Sequence, residues 1–161
     1  MVVSNTSPLN YLILIKQIDL LPQLYSRVLI PASVLQELNA PETPDLVRTW
    51  IASLPDWLEV SPVVVDPDPD LSHLHAGERD AISLALHVRA DAVIIDERRG
   101  RQEAEKRGLT VIGTLGVLAA AHERELVDLA AAIDLLRQTT SHVSPKLLAA
   151  IRSKYQSIDS K

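Results

Sequence analysis

The chain has 161 residues, 47% of them apolar, with no Phe and no Cys. That length predicts one domain with a sizeable core built from Leu, Ile, Val and Ala, and the missing cysteines exclude a disulfide framework and a thiolate metal site. The formal net charge of −5 argues against broad electrostatic attachment to nucleic acid but leaves room for a local basic patch. Residues 1–4 form a strand-like run, without a basic segment leading into a long apolar stretch, so no signal peptide is expected. No apolar run reaches membrane-spanning length, so the expected setting is the cytoplasm.

Apolar strand-like runs alternate with helical patterns. This predicts an α/β fold: a single three-layer α/β/α domain over 1–161 with a mostly parallel central sheet. Residues 1–4 make the first strand, and Ser7 and Pro8 read as N-cap and first-turn residue of the next helix. A short helix is predicted over 20–25, a strand over 27–30 stopped by Pro31, and helices over 33–39 and 44–53. Residues 57–65 read as extended. The loop Asp66-Pro67-Asp68-Pro69-Asp70 reads as non-helical, because its prolines remove donors and restrict their predecessors. A helix over 77–89 leads to a strand over 92–95 and a charged helix over 99–107, closed by Gly108. A strand over 109–112 and helices over 114–122 and 126–137 follow. Ser144-Pro145 starts a last helix, so 126–161 form a C-terminal helical part.

The strand over 92–95 runs straight into Asp96-Glu97. A buried parallel strand reads as an apolar run, and its carboxyl end is where α/β folds place chemistry. Asp96 there is either a ligand for a hard cation or a cap for the Arg-rich helix, with Glu97 a supporting or surface acid. The first strand ends the same way on Asn5, which either ligates through its amide oxygen or shapes the turn. In Gly77-Glu78-Arg79-Asp80-Ala81-Ile82, Glu78 and Asp80 compete for one role, or simply complement the helix N-terminus. Glu37 lies in a helix, where a glutamate is usually a solvated residue. Ser4, Thr6 and Thr114 orient waters or a phosphate, or make local turn and cap bonds.

Arg98, Arg99, Arg101, Lys106 and Arg107 form a basic cluster after Asp96. Arginine suits bidentate phosphate contact; Lys106 and Arg107 read as a solvated face neutralised by Glu103 and Glu105. His73 and His75 lack the further His/Cys pattern of a zinc site and read as surface residues. Trp50 and Trp57 read as packing anchors. The chain has neither G-x-G-x-x-G nor a P-loop, which argues against a nucleotide-binding α/β protein.

Several strings occur in a telling order: Val2-Val3-Ser4-Asn5-Thr6-Ser7-Pro8-Leu9, Val34-Leu35-Gln36-Glu37-Leu38, Gly77-Glu78-Arg79-Asp80-Ala81-Ile82, Ile95-Asp96-Glu97-Arg98-Arg99-Gly100-Arg101 and Val111-Ile112-Gly113-Thr114-Leu115-Gly116-Val117-Leu118. Over nearly the whole chain they resemble a PIN-domain protein. The last two resemble a prokaryotic PIN-like subfamily described as predicted nucleic-acid-binding proteins. The resemblance implies a PIN-like fold and a ribonuclease that uses Mg²⁺ or Mn²⁺, the toxin half of a toxin–antitoxin pair with a small antitoxin protein as partner. It carries Asn5, Glu37, Asp80 and Asp96 onto the catalytic acidic positions, with Glu78 a rival for the third. Asp96, Asp80 and Asn5 are then the metal ligands; Ser4, Thr6, Glu78, Glu97 and Thr114 support them; Arg98, Arg99 and Arg101 contact RNA.

Asn5 departs from the family pattern, because an amide brings no charge. The gross attraction between a divalent ion and one carboxylate charge roughly 4 Å away is about 8 kcal/mol at an effective dielectric of roughly 20, much of it cancelled by desolvation. The alternative is therefore a catalytically weakened PIN-like module that binds RNA or a protein. A homodimer is expected from the apolar residues over 115–121 and 126–136, which exceed what one sheet needs, and from analogy with other PIN-like proteins.

Overall fold

Five short strands carry the fold in the computed structural model, which describes residues 1–66, 68–139, 149 and 153. They are β1 (Val2–Ser4), β2 (Val28–Ile30), β3 (Leu58–Val60), β4 (Ala92–Ile94) and β5 (Val111–Ile112), in the order β3-β2-β1-β4-β5. Every pairing is parallel, with Val3 opposite Leu29 on one side and Val93 on the other. Side chains alternate between the two faces, as the pleat requires. Val2, Val28, Ile30, Ala92 and Ile94 enter one aliphatic core; Val3, Leu29, Val93 and Ile95 enter the other. Helices cover both faces, which is why β2, β4 and β5 read as unbroken apolar runs, while β3 at the sheet edge carries Glu59.

The first face is covered by α1 (Thr6–Leu14), α2 (Leu20–Tyr25), α3 (Ala32–Leu38), α4 (Asp45–Ile51), α7 (Thr114–Glu123) and α8 (Leu129–Arg137). The second is covered by α5 (Ala76–Val88) and α6 (Arg98–Lys106). Gly108 follows α6 with φ of 80°, as its predicted terminating role requires. Many of the apolar residues that suggested a second copy turn inward. Val117, Leu118, Ala121, Ala132, Ile133 and Leu136 are buried in the first core, while Leu126 and Leu135 stay exposed. Among the described residues no helix is long and apolar enough to cross a membrane.

Three local expectations are corrected. The N-cap of α1 is Asn5, not Ser7, so Pro8 falls at the third helical position; proline is tolerated there because the first helical N–H groups have no partner within the helix. The aspartate–proline loop contains one 3-10 turn, Pro69–Leu71, held by the Asp68 carboxylate, which accepts the Asp70 N–H at 2.9 Å. The helix predicted over 126–137 begins at Leu129, because Asp128 caps it by accepting the Ala130 N–H at 3.1 Å. The helix predicted from Ser144-Pro145 lies outside the described residues, as does most of the C-terminal part.

The strand order places the site. From β1 the chain moves outward to β2 and β3, then crosses back to β4 and β5 on the other side. The carboxyl ends of β1 and β4 therefore flank a topological switch point, where connections diverge and a crevice opens. Asn5 follows β1 there, and its N–H donates to the Ile94 carbonyl at 2.9 Å. Asp96 lies two residues beyond β4.

Candidate metal centre

Asn5 is 3% exposed. Its side chain makes no cap bond, and Oδ1 finds no hydrogen-bond partner among the described residues. The turn-shaping bond is thus missing. A buried acceptor left unpaired costs about 1–3 kcal/mol, a cost that a cation or a donor beside it would remove. Ser4, fully buried, donates its hydroxyl to the Asn5 carbonyl at 2.9 Å, which is local turn bonding.

Glu37 sits at the end of α3, and two neighbours fix its carboxylate. Thr6 donates its hydroxyl to Oε2, and the Gly77 N–H in the first turn of α5 donates to Oε1 at 2.9 Å. A Cβ at residue 77 would come within 2.9 Å of the Glu37 carboxyl carbon, so only glycine lets this acid reach the helix backbone. The positive end of the α5 dipole favours the negative charge there.

Glu78 follows on the buried face of α5 and is 3% exposed. Its Oε2 occupies the space that a side chain at Gly100 would need, 2.7 Å from where a Cβ would stand. Burial pushes the Glu78 carboxyl up to about 8, helped by a hydrogen bond shared with Glu97 and by the charges of Glu97 and Glu37. His75, the N-cap residue of α5, completes the group: His75, Glu78 and Glu97 each present a ligand atom, and these atoms lie within 4.8 Å of one another.

Asp96 is bonded on both oxygens. The Thr114 N–H donates to Oδ1 and the Thr114 hydroxyl to Oδ2, both at 2.6 Å. Asp96 therefore holds the start of α7; the residue capping the Arg-rich α6 is Glu97, which makes no side-chain cap bond. Burial raises the Asp96 carboxyl above its ordinary value, while the Thr114 bonds and the Arg101 guanidinium oppose that rise. Replacing Thr114 with Val should raise the Asp96 pKa further. It should also cost about 1–3 kcal/mol, the worth of a hydrogen bond to a charged group. A carboxyl ¹³C NMR titration and urea unfolding check both; an unmoved Asp96 pKa would show that the hydroxyl bond is unimportant.

Asp80 is not a member of the His75–Glu78–Glu97 group: two residues along a helix turn the side chain by about 200°, and Asp80 pairs with its neighbour Arg79 at 3.3 Å. The basic residues divide as well. Glu103 binds Lys106 at 3.3 Å and Arg107 at 2.7 Å, and Arg107 also reaches Asp68 at 3.1 Å. Arg101 donates to the Ile95 carbonyl at 3.0 Å. Arg98 and Arg99 are exposed and make no hydrogen bond or ion pair among the described residues. A groove of about 740 Å³ is lined by Thr6, Asn10, Leu38, Glu42, Thr43 and Leu135 among others, with no Lys or Arg.

The carboxylates at the switch point of this parallel sheet define a protein suited to holding a hard cation at strand carboxyl ends. The chain belongs to the PIN-domain family: a family model described as a PIN domain matches residues 1–157. PIN domains are nuclease folds that generally use divalent metals. No curated protein and no solved structure matches the chain.

Proposed function

We propose that the protein is a divalent-metal-dependent ribonuclease acting on single-stranded RNA. The observation that carries this reading is the grouping of buried Glu78 with Glu97 and His75, whose ligand atoms lie within 4.8 Å of one another, beside Glu37 held on the Gly77 N–H of the same helix. Such a set of acids is unfavourable alone and favourable around a cation. Glu78, Glu97, Glu37, Asp96 and the Asn5 amide are the oxygen donors available to Mg²⁺ or Mn²⁺. When bound, such a metal lowers the pKa of a water and stabilises charge on the phosphate.

The rest belongs to the chain. Thr6 and Gly77 fix Glu37, and Thr114 fixes Asp96. Arg98 and Arg99, free at the start of α6, supply phosphate contacts along the incoming strand. The groove lined by Thr6 carries a carboxylate and no Lys or Arg, so the RNA path runs over α6 instead. Toxin–antitoxin membership is the biological setting this reading favours, with a small antitoxin as partner and the cytoplasm as location.

Asn5 supports a second reading, a weakened module that binds RNA. Asn5→Asp separates the two. A carboxylate at this buried position should raise Mn²⁺ affinity about tenfold, each factor of ten being worth about 1.4 kcal/mol. RNA cleavage and Mn²⁺ binding are measured together over a Mn²⁺ titration. Wild-type cleavage that matches the variant removes the motive for the weakened module. Activity seen only in the variant makes the natural protein a binding module.

A further inference from the structure

We propose that the His75 imidazole is a ligand of the metal in this pocket and biases the site toward a first-row transition dication, Mn²⁺, over Mg²⁺. The inference rests on the metal-nuclease reading and deepens it. His75 stands three residues before Glu78 with extended backbone (φ −63°, ψ 154°), and it makes no side-chain cap bond. Its ring lies within 4.8 Å of carboxylate oxygens from both Glu78 and Glu97, yet it forms no hydrogen bond or ion pair among the described residues. A six-coordinate ion with ligands at about 2.1 Å sets adjacent ligand atoms about 3 Å apart and opposite ones about 4.2 Å apart. The observed spacing closes onto that geometry with a small side-chain movement.

His73 behaves differently. It faces Glu103 at 3.7 Å, so of the two histidines in this loop only His75 meets the switch-point carboxylates. A separate feature also points to a ligand: the Asn5 Oδ1, buried and unpartnered at the adjoining end of β1. The chemistry agrees. A neutral imidazole adds a donor without adding negative charge to a pocket already holding Glu37, Glu78, Glu97 and Asp96. Imidazole suits Zn²⁺, Cu²⁺, Fe²⁺ and Ni²⁺ best; Mn²⁺, the first-row dication of lowest affinity in that order, still accepts a nitrogen donor more readily than Mg²⁺, which favours oxygen ligands and retains its waters.

The test uses the full chain loaded with Mn²⁺ and read by pulsed EPR for nitrogen modulation from a bound imidazole. Mn²⁺ and Mg²⁺ affinities are measured in parallel for wild type, His75→Ala and Glu78→Gln. The expected result is a nitrogen signal in wild type that disappears in His75→Ala. Mn²⁺ affinity should fall in that variant by at least about tenfold, and Mg²⁺ affinity should change by less than about twofold. A missing nitrogen signal, one that survives His75→Ala, or an equal loss of both ions overturns the assignment. Glu78→Gln should weaken both ions alike. If it weakens them while the nitrogen signal is absent, only the role of His75 fails. If it leaves both affinities at wild-type values, the pocket reading itself fails.

Discussion

Glu78→Gln is expected to lower Mn²⁺-dependent RNA cleavage by about a hundredfold or more, while Asp80→Asn stays within about twofold of wild type. The glutamine has nearly the same shape and removes only the charge. Glu78 is buried and meets Glu97 and Glu37, so its charge lies where a cation would be held. Asp80 spends its charge on Arg79. A metal in such a site supplies several kcal/mol of transition-state stabilisation, and each 1.36 kcal/mol is a factor of about ten in rate. Single-turnover cleavage at saturating Mn²⁺ is the measurement, with circular dichroism to show that both variants fold. The reverse ranking would transfer the site to Asp80 and remove Glu78 from it.

Metal-free protein should lose stability as pH rises from about 5 to about 8. The sign follows from Glu78. Its folded pKa, about 8, stands above its ordinary value of 4.5, so between those values the folded chain binds more protons than the unfolded one. The stabilisation is complete below 4.5 and disappears as pH passes through about 8. A gap of that size corresponds to a few kcal/mol, on the order of 3–5. Asp96, also raised by burial, acts in the same direction at lower pH. Asp68 and Glu103, both lowered by hydrogen bonds, act oppositely and only in more acidic solution. Urea unfolding in chelator at pH 5, 6.5 and 8 tests this. Glu78→Gln should flatten the profile, and Mn²⁺ at a hundred times its Kd should restore about 2.7 kcal/mol at pH 8. A flat wild-type profile would mean that Glu78 is ionised and solvated in the folded protein.

Much of the fold was legible because most strands are aliphatic runs and some helices carry clear punctuation. The run ending at Ile94 and the left-handed Gly108 are examples. Strand order was not legible, since pairing between β1 and β4 joins residues 90 positions apart (Val2 with Ala92). The α1 start was misread because Ser7-Pro8 imitates a cap and first turn, while the actual boundary is set by β1 ending at Ser4.

The site was partly written in the chain. Asp96 shows itself by following an apolar strand. Glu78 carried a signal too: it precedes apolar Ala81 and Ile82 by three and four residues, whereas Asp80 stands at that spacing from Ser83 and Leu84, a pair with only one apolar member. A charged residue on an apolar stripe is the more informative of the two. His75 had no such mark, because its position depends on how the loop before α5 meets Glu97 at the start of α6 on the same face of the sheet. The grip of Gly77 on Glu37 was equally hidden, being a contact between helices that only the folded sheet brings together.

The two indoles offer a practical consequence. Trp50 and Trp57 pack against each other with ring centres 6.0 Å apart, beside β3 at the outer edge of the sheet. With strands about 4.8 Å apart, that edge is roughly 10 Å from β1. Tryptophan emission therefore reports first on the folding of the α4–β3 flank, and an extrinsic label near Arg99 is the more direct optical handle on the switch point.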